Sequence, residues 1–501
     1  MLFSASSYLY PYGAGWLDAL PSGRRGDGDG TGRWAICAPV DRSVPAGAGP
    51  IGAWSAPRGA SAVRTGARQC FSRAVTATPT HRTIDAVWRI ESARLIAGLV
   101  RLVRDVGLAE DLAQDALVAA LEQWPSSGVP DNPGAWLMSV AKRRAIDAIR
   151  REKVLERKHE QLGRELEIER GTGVADFDAA VDGAEVGDDL LRLMFIACHP
   201  VLSTEARVAL TLRLLGGLTT PEIARAFLIP EPTVAQRIVR AKRTLADKRV
   251  PFEVPGGDER AARLSSVLEV LYLIFNEGYS ATAGDDWVRP ALCEEAMRLG
   301  RVLAELTPRE PEVHGLVALM EIQASRLRAR VGPSGEPVLL LDQDRGAWDQ
   351  LLIRRGLAAL ERAEAIGDAR GRYVLQAAIA ACHARARTAE QTDWPRIAEL
   401  YRELSELVPS PVVELNRAVA VGMAYGPAAG LELVDALAAE PSLKEYHLLP
   451  SVRGDLLASL GRLDEAGTEL ARAASLTRNN RERELLLRRV EDCARGRVPT
   501  R

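Results

Sequence analysis

The chain has 501 residues, room for two to four domains, each with its own buried core. Its 65 basic and 67 acidic residues nearly cancel to a formal charge of −2, so any nucleic-acid affinity must be local. Six scattered cysteines with no CxxC pair exclude a disulfide scaffold and argue against structural zinc. A reducing cytoplasm is expected, and no apolar run of about 18 residues suggests a membrane span.

Residues 1–82 are rich in Gly, Ala, Ser, Pro and Arg and keep no helical or strand period. They are expected to be a disordered extension, or one added by a wrongly assigned start. From Thr83 the pattern becomes helical, with Ile84, Val87, Trp88, Ile90, Leu95, Ile96 and Leu99 at spacings of three and four. A second helix is expected over LAEDLAQDALVAALEQW, with Leu108, Leu112, Leu117, Leu121 and Trp124 on its apolar side. Glu110, Asp111, Asp115 and Glu122 make it acidic, with Gln114 among them, so that face meets either water or a basic protein partner. PSSGVPDNPG reads as a loop. A third helix is expected from about Ala135 to Leu155, carrying a dense basic run that could neutralise phosphates.

Residues 83–158 thus form one helical unit and 159–188 a polar linker. A second unit over 189–250 has the grammar of a helix-turn-helix. Its first helix starts at a Thr220–Pro221 cap and is anchored by Ile223, Ala224 and Phe227; Ile229–Pro232 turns. Val234, Ile238 and Leu245 then anchor a second helix. That leaves Thr233, Gln236, Arg237, Arg240 and Arg243 on its outer side, where Arg suits guanine and Gln suits adenine. Leu228 occupies a turn position that often needs Gly, and Pro230 and Pro232 could shift the start of the second helix.

After a break at PFEVPGGD, residues 258–497 read as ten or eleven helices forming a degenerate tetratricopeptide-like (TPR-like) repeat domain. Gly454, Ala458, Gly461, Ala466 and Ala473 mark close helix packing there. The aromatic residues Tyr272, Phe275, Tyr279, Trp287, Trp348 and Tyr373 are expected in its core. The fold class is all-α. No catalytic constellation, nucleotide loop or metal spacing is found, so the chain reads as a non-enzyme without a cofactor.

Taken in order, LAEDLAQDALVAALEQW, NPGAWLMSVAKRRAIDAIRREK and LTTPEIARAFLIPEPTVAQRIVRAKRTL resemble the extracytoplasmic-function (ECF) sigma factors of bacterial RNA polymerase, with regions 2 and 4 and no region 3. NEGYSAT (276–282), LLLDQDRGAWD (339–349) and PVVELNRAVAV (411–421) extend the likeness to the subgroup with a long TPR-like C-terminal extension.

The resemblance implies binding to core RNA polymerase, at its β′ clamp and β flap, and to promoter DNA. It places Asp111, Gln114 and Asp115 on the clamp. Ser126, Ser127 and Asn132, in the loop Pro125–Pro133, with Trp136, Lys142, Arg143, Asp147, Arg150 and Arg151, are placed on the −10 strand. Thr233, Gln236, Arg237, Arg240 and Arg243 are placed on the −35 element. A regulatory role for the C-terminal domain, with a partner of its own, is a further expectation. The competing readings are a helix-turn-helix regulator with a TPR-like sensor and a helical scaffold. Residues 111–151 distinguish them, because a plain regulator does not need them.

Overall fold

A computed structural model describes residues 79–163, 183–282, 284–367 and 370–498. The N-terminal extension and most of the linker lie outside these residues. Among those described, every regular element is a helix.

The first unit is α1 (Pro79–Val103), α2 (Val106–Ser127) and α3 (Pro133–Gly163). α1 begins a turn before the pattern change at Thr83. Between α1 and α2 the chain reverses at Arg104, whose φ of 55° is left-handed, and Asp105 caps α2 by accepting from Leu108 N–H at 2.7 Å. Ile84, Leu95, Ile96, Leu99, Leu112 and Trp124 are buried, as their periodicity predicts. Ile90 and Leu121 are not: both lie exposed, outside the helical stripe that meets the core. α2 also runs through Pro125, so the expected loop is shortened to 128–132. Proline's missing N–H leaves the Leu121 carbonyl without its usual donor, yet the helix continues and closes with Gly128 N–H donating to the Trp124 carbonyl.

The second unit is α4 (Gly183–Ala197), α5 (Thr204–Leu214), α6 (Thr220–Phe227) and α7 (Glu231–Asp247). The cap of α6 is Thr219, one residue before the expected position. Its hydroxyl accepts from Glu222 N–H while the Glu222 carboxylate accepts from Thr219 N–H, a capping box. Leu228 adopts the left-handed conformation (φ 50°) that the turn demands, and Pro230 precedes α7 with Pro232 in its first turn. Ile223, Ala224, Val234, Ile238 and Leu245 are buried, and Phe227 is half-buried.

Eleven α-helices follow among the described residues, α8 (Gly257–Tyr279), α9 (Pro290–Leu306), α10 (Pro311–Ala324), α11 (Gln350–Ile366), α12 (Arg372–Arg385), α13 (Trp394–Leu407), α14 (Pro411–Tyr425), α15 (Pro427–Leu437), α16 (Leu448–Ser459), α17 (Leu463–Leu476) and α18 (Asn480–Ala494). Most pack against their chain neighbours, as a repeat array does. Gly454 allows α16 to approach α17: a Cβ there would lie 2.9 Å from Leu470. Gly461 has a different role from the packing expected of it. Its φ of 78° makes the turn between those helices. The six aromatic residues named above are all buried.

Packing also goes beyond chain neighbours, as between α10 and α12. Asn479, the N-cap of α18, donates from Nδ2 to the carbonyls of Ala281 and Asp286 in the α8–α9 loop, closing the array back on its beginning. One hydrophobic core runs from α1 through the helix-turn-helix unit into α8–α12, and a second fills α11–α18.

Candidate nucleic-acid and polymerase interface

α2 presents Asp111 and Asp115 to solvent, the latter 3.2 Å from Arg144 of α3. Gln114 is half-buried and donates from Nε2 to Glu110 at 2.6 Å. Exposed Val118 and Leu121 continue this face, so it combines carboxylates with apolar surface, the composition of a protein-docking patch.

Glu110, expected with the acidic surface, is instead 2% exposed. Its carboxylate meets Arg213 of α5 (2.6 Å) and Lys242 of α7, an ion pair between the two small units. Arg89 to Glu222 (3.2 Å) is a second such pair. Sequence reading missed this cluster because a buried carboxylate and an exposed one have the same local sequence. Only the placement of Lys242, on the flank of α7 opposite its outer face, reveals the pairing.

Ser126 and Ser127 are not in a loop. They lie in the last turn of α2, where both hydroxyls donate to the Gln123 carbonyl at 2.9 and 3.0 Å, because α2 continues through Pro125. Asn132 is exposed and its Oδ1 accepts from Ala135 N–H at 3.0 Å, opening α3. Trp136 is half-buried, edge-on to buried Trp124 with ring centroids 5.3 Å apart. Along α3, Arg143, Asp147, Arg150 and Arg151 are exposed and Lys142 half-buried. The structure thus joins Arg143, Asp147, Arg150 and Arg151 on one solvent face, at helical spacing.

On α7, Gln236, Arg240 and Arg243 are exposed and Thr233 and Arg237 half-buried, with Arg243 3.5 Å from Asp247. Their face remains open while the opposite face buries Val234, Ile238 and Leu245. The turn before α7 is held by the C-terminal domain. Arg289, paired with Glu277 of the NEGYSAT segment, donates to the Ala226 carbonyl at 2.7 Å. Leu228 packs against Gly284, where a Cβ would come within 2.5 Å of its Cδ1. Arg207 of α5 binds Ser266 (2.6 Å) and Glu269 (3.1 Å) of α8, and Arg298 donates to the Leu215 carbonyl at 2.6 Å.

Comparison with known proteins gives three family matches: Sigma-70 region 2 over residues 90–154, Sigma-70, region 4 over 192–245, and a family of unknown function (DUF6596) over 263–364. An uncharacterized protein, R00370, of Rhizobium meliloti (strain 1021) is 45% identical over 388 residues, 77% of this chain and 90% of that protein. ECF RNA polymerase sigma factor SigK of Mycobacterium ulcerans (strain Agy99) is 31% identical over 157 residues, 30% of this chain and 77% of the relative. SigK of Mycobacterium tuberculosis (strain ATCC 25618 / H37Rv) is 30% identical over 159 residues, 30% of this chain and 78% of its own. No solved structure matches the chain. The two matched regions are the units that carry α2–α3 and α6–α7, and on this ground the chain belongs to the ECF RNA polymerase sigma factors.

Proposed function

We propose that the chain joins core RNA polymerase in the cytoplasm as its promoter-reading subunit. Asp111, Gln114 and Asp115 of α2 dock on the β′ clamp, and the helix-turn-helix unit reaches the β flap. Arg143, Asp147, Arg150 and Arg151, with Asn132, Trp136 and Lys142, hold the opened −10 strand. Basic side chains neutralise its phosphates, and unpaired bases offer faces and edges to the 128–132 loop. Ser126 and Ser127 can join only from the helix end. Thr233, Gln236, Arg237, Arg240 and Arg243 read the −35 duplex from the major groove.

The observation that carries this reading is the pairing, in one chain, of an exposed acidic and apolar face on α2 with two separate basic helices, α3 and α7. A regulator that only bound duplex DNA would need α7 alone, and the region 2 match supports the same choice. The test is run-off transcription with purified core polymerase and no other sigma subunit. Promoter-specific transcripts are expected, and a requirement for a second sigma factor would defeat the reading.

The C-terminal domain fits a regulatory role as the holder of a closed form. The −10 and −35 elements lie about 25 base pairs apart, roughly 85 Å at 3.4 Å per pair. Here α2 and α7 touch through Glu110 and Lys242. The two units must part before both elements can be read, and α8–α9 holds one of them. Its own partner is then whatever loosens that hold.

A further inference from the structure

Three of the four branched aliphatic side chains of α7, Val234, Ile238 and Leu245, are buried in the core. The fourth, Val239, is 64% exposed in the middle of the helix. Stability gives no reason for it there. A β-branched side chain loses rotamer freedom in a helix, and an exposed one buries nothing in return. One exposed valine is ordinary on a protein surface, but the setting of this one is not. It stands three residues after Gln236 and four before Arg243, both exposed, and helix neighbours at these spacings have Cβ atoms about 5–6 Å apart. Ala235, also exposed, lies one turn earlier, so the two make a narrow apolar edge beside the cationic face that carries Arg240 and Arg243. Lys242 bounds that edge on its other flank, where it is drawn to Glu110 of α2.

Whatever covers this edge must offer acceptors or negative charge to the arginines and an apolar group beside them. The major groove of duplex DNA does both where a thymine occurs. Phosphates and base acceptors line it, and the thymine 5-methyl group is an apolar projection into it. We propose that Val239 is a specificity residue that packs against the 5-methyl group of a thymine in the −35 duplex, between the contacts of Gln236 and Arg243. The stiff χ1 of valine holds its methyl groups in place, and the contact sheds water only when that base is thymine, since cytosine has no methyl there. The inference rests on the assignment of α7 to the −35 element and adds a base preference that hydrogen bonds do not supply.

The test uses the full-length chain. A duplex that it enriches from randomised DNA is resynthesised with each thymine in turn replaced by deoxyuridine, which removes only the methyl group. Binding is measured by fluorescence anisotropy. In the parent chain one replacement is expected to weaken binding about fourfold, the equivalent of one buried methylene. Val239→Ala should bind the thymine duplex about fourfold more weakly than the parent, with no difference left between thymine and deoxyuridine at that position. Its melting temperature should hold or rise, because the side chain is exposed and alanine is the better helix former. A valine that merely supported α7 would instead weaken both duplexes alike. No sensitive thymine in the parent, a penalty that survives in Val239→Ala, or a loss common to both duplexes would overturn the proposal. A loss of core polymerase affinity in its place would do the same, assigning the edge to protein. The run-off assay of the sigma-factor reading uses no deoxyuridine, so that reading can stand when this one falls, whereas a chain that enriches no sequence defeats both.

Discussion

At the scale of single residues, the two basic helices should fail in different ways. If Arg240 reads a base edge as proposed, Arg240→Ala should weaken −35 binding by about 1–3 kcal/mol and relax selectivity at one position. In the proposed assignment Arg150 of α3 meets a phosphate, which Arg150→Ala would leave unpaired. Binding to single-stranded −10 DNA should weaken evenly across sequences, with the salt slope reduced by about 1. Fluorescence-anisotropy titrations at several salt concentrations separate the two. A second prediction concerns His447 and Glu482, 3.2 Å apart in the C-terminal array. Burial opposes charge on both, but each outweighs it for the other: the His447 pKa is raised above 6.5 and that of Glu482 lowered below 4.5. The histidine's contribution is complete below pH 6.5 and is lost as pH rises through its folded value. The glutamate's is complete above pH 4.5 and is lost as pH falls through its own. Thermal melts should therefore show this pair contributing most between those limits, and Glu482→Gln should cost about 1–3 kcal/mol there and flatten the profile.

At the scale of elements, the turn before α7 is the informative one. A left-handed leucine costs about 1–2 kcal/mol, a conformation glycine adopts freely. Leu228→Gly should relieve that strain yet give up the contact with Gly284. If the contact holds the closed form, the variant should bind −35 duplex as well as the parent and core polymerase several-fold more tightly, measured side by side in pull-down titrations. The helix-turn-helix was legible in the sequence because its anchors at 223, 224, 234, 238 and 245 are apolar at helical spacing, and all are buried. The Ser126–Ser127 segment was not, since proline signals a break whereas the end of α2 tolerates one. The acidic side of α2 was half legible: its composition announced carboxylates, but which of them turns inward depends on a lysine more than a hundred residues later.

At the scale of the whole molecule, closure is the testable property. Donor and acceptor dyes placed at exposed positions of α3 and α7 should report a short separation in the free chain and a much longer one on core polymerase with promoter DNA. An unchanged separation would mean that the compact arrangement is the working one. Glu110→Ala leaves Arg213 and Lys242 facing an apolar side chain. Breaking a buried pair from one side costs about 3–5 kcal/mol, less here because both cations are partly solvated. The variant should melt earlier and populate the long separation without polymerase.

The contact between Asn479 and the α8–α9 loop joins residues 198 positions apart. That loop also carries Gly284, against which Leu228 packs, and leads into Arg289, which holds the carbonyl of Ala226. These contacts tie α18, through the α8–α9 loop, to the turn before α7. If α7 reads the −35 element as proposed, trimming or occupation of α18 is expected to change promoter affinity by this short route rather than through the ten helices in between.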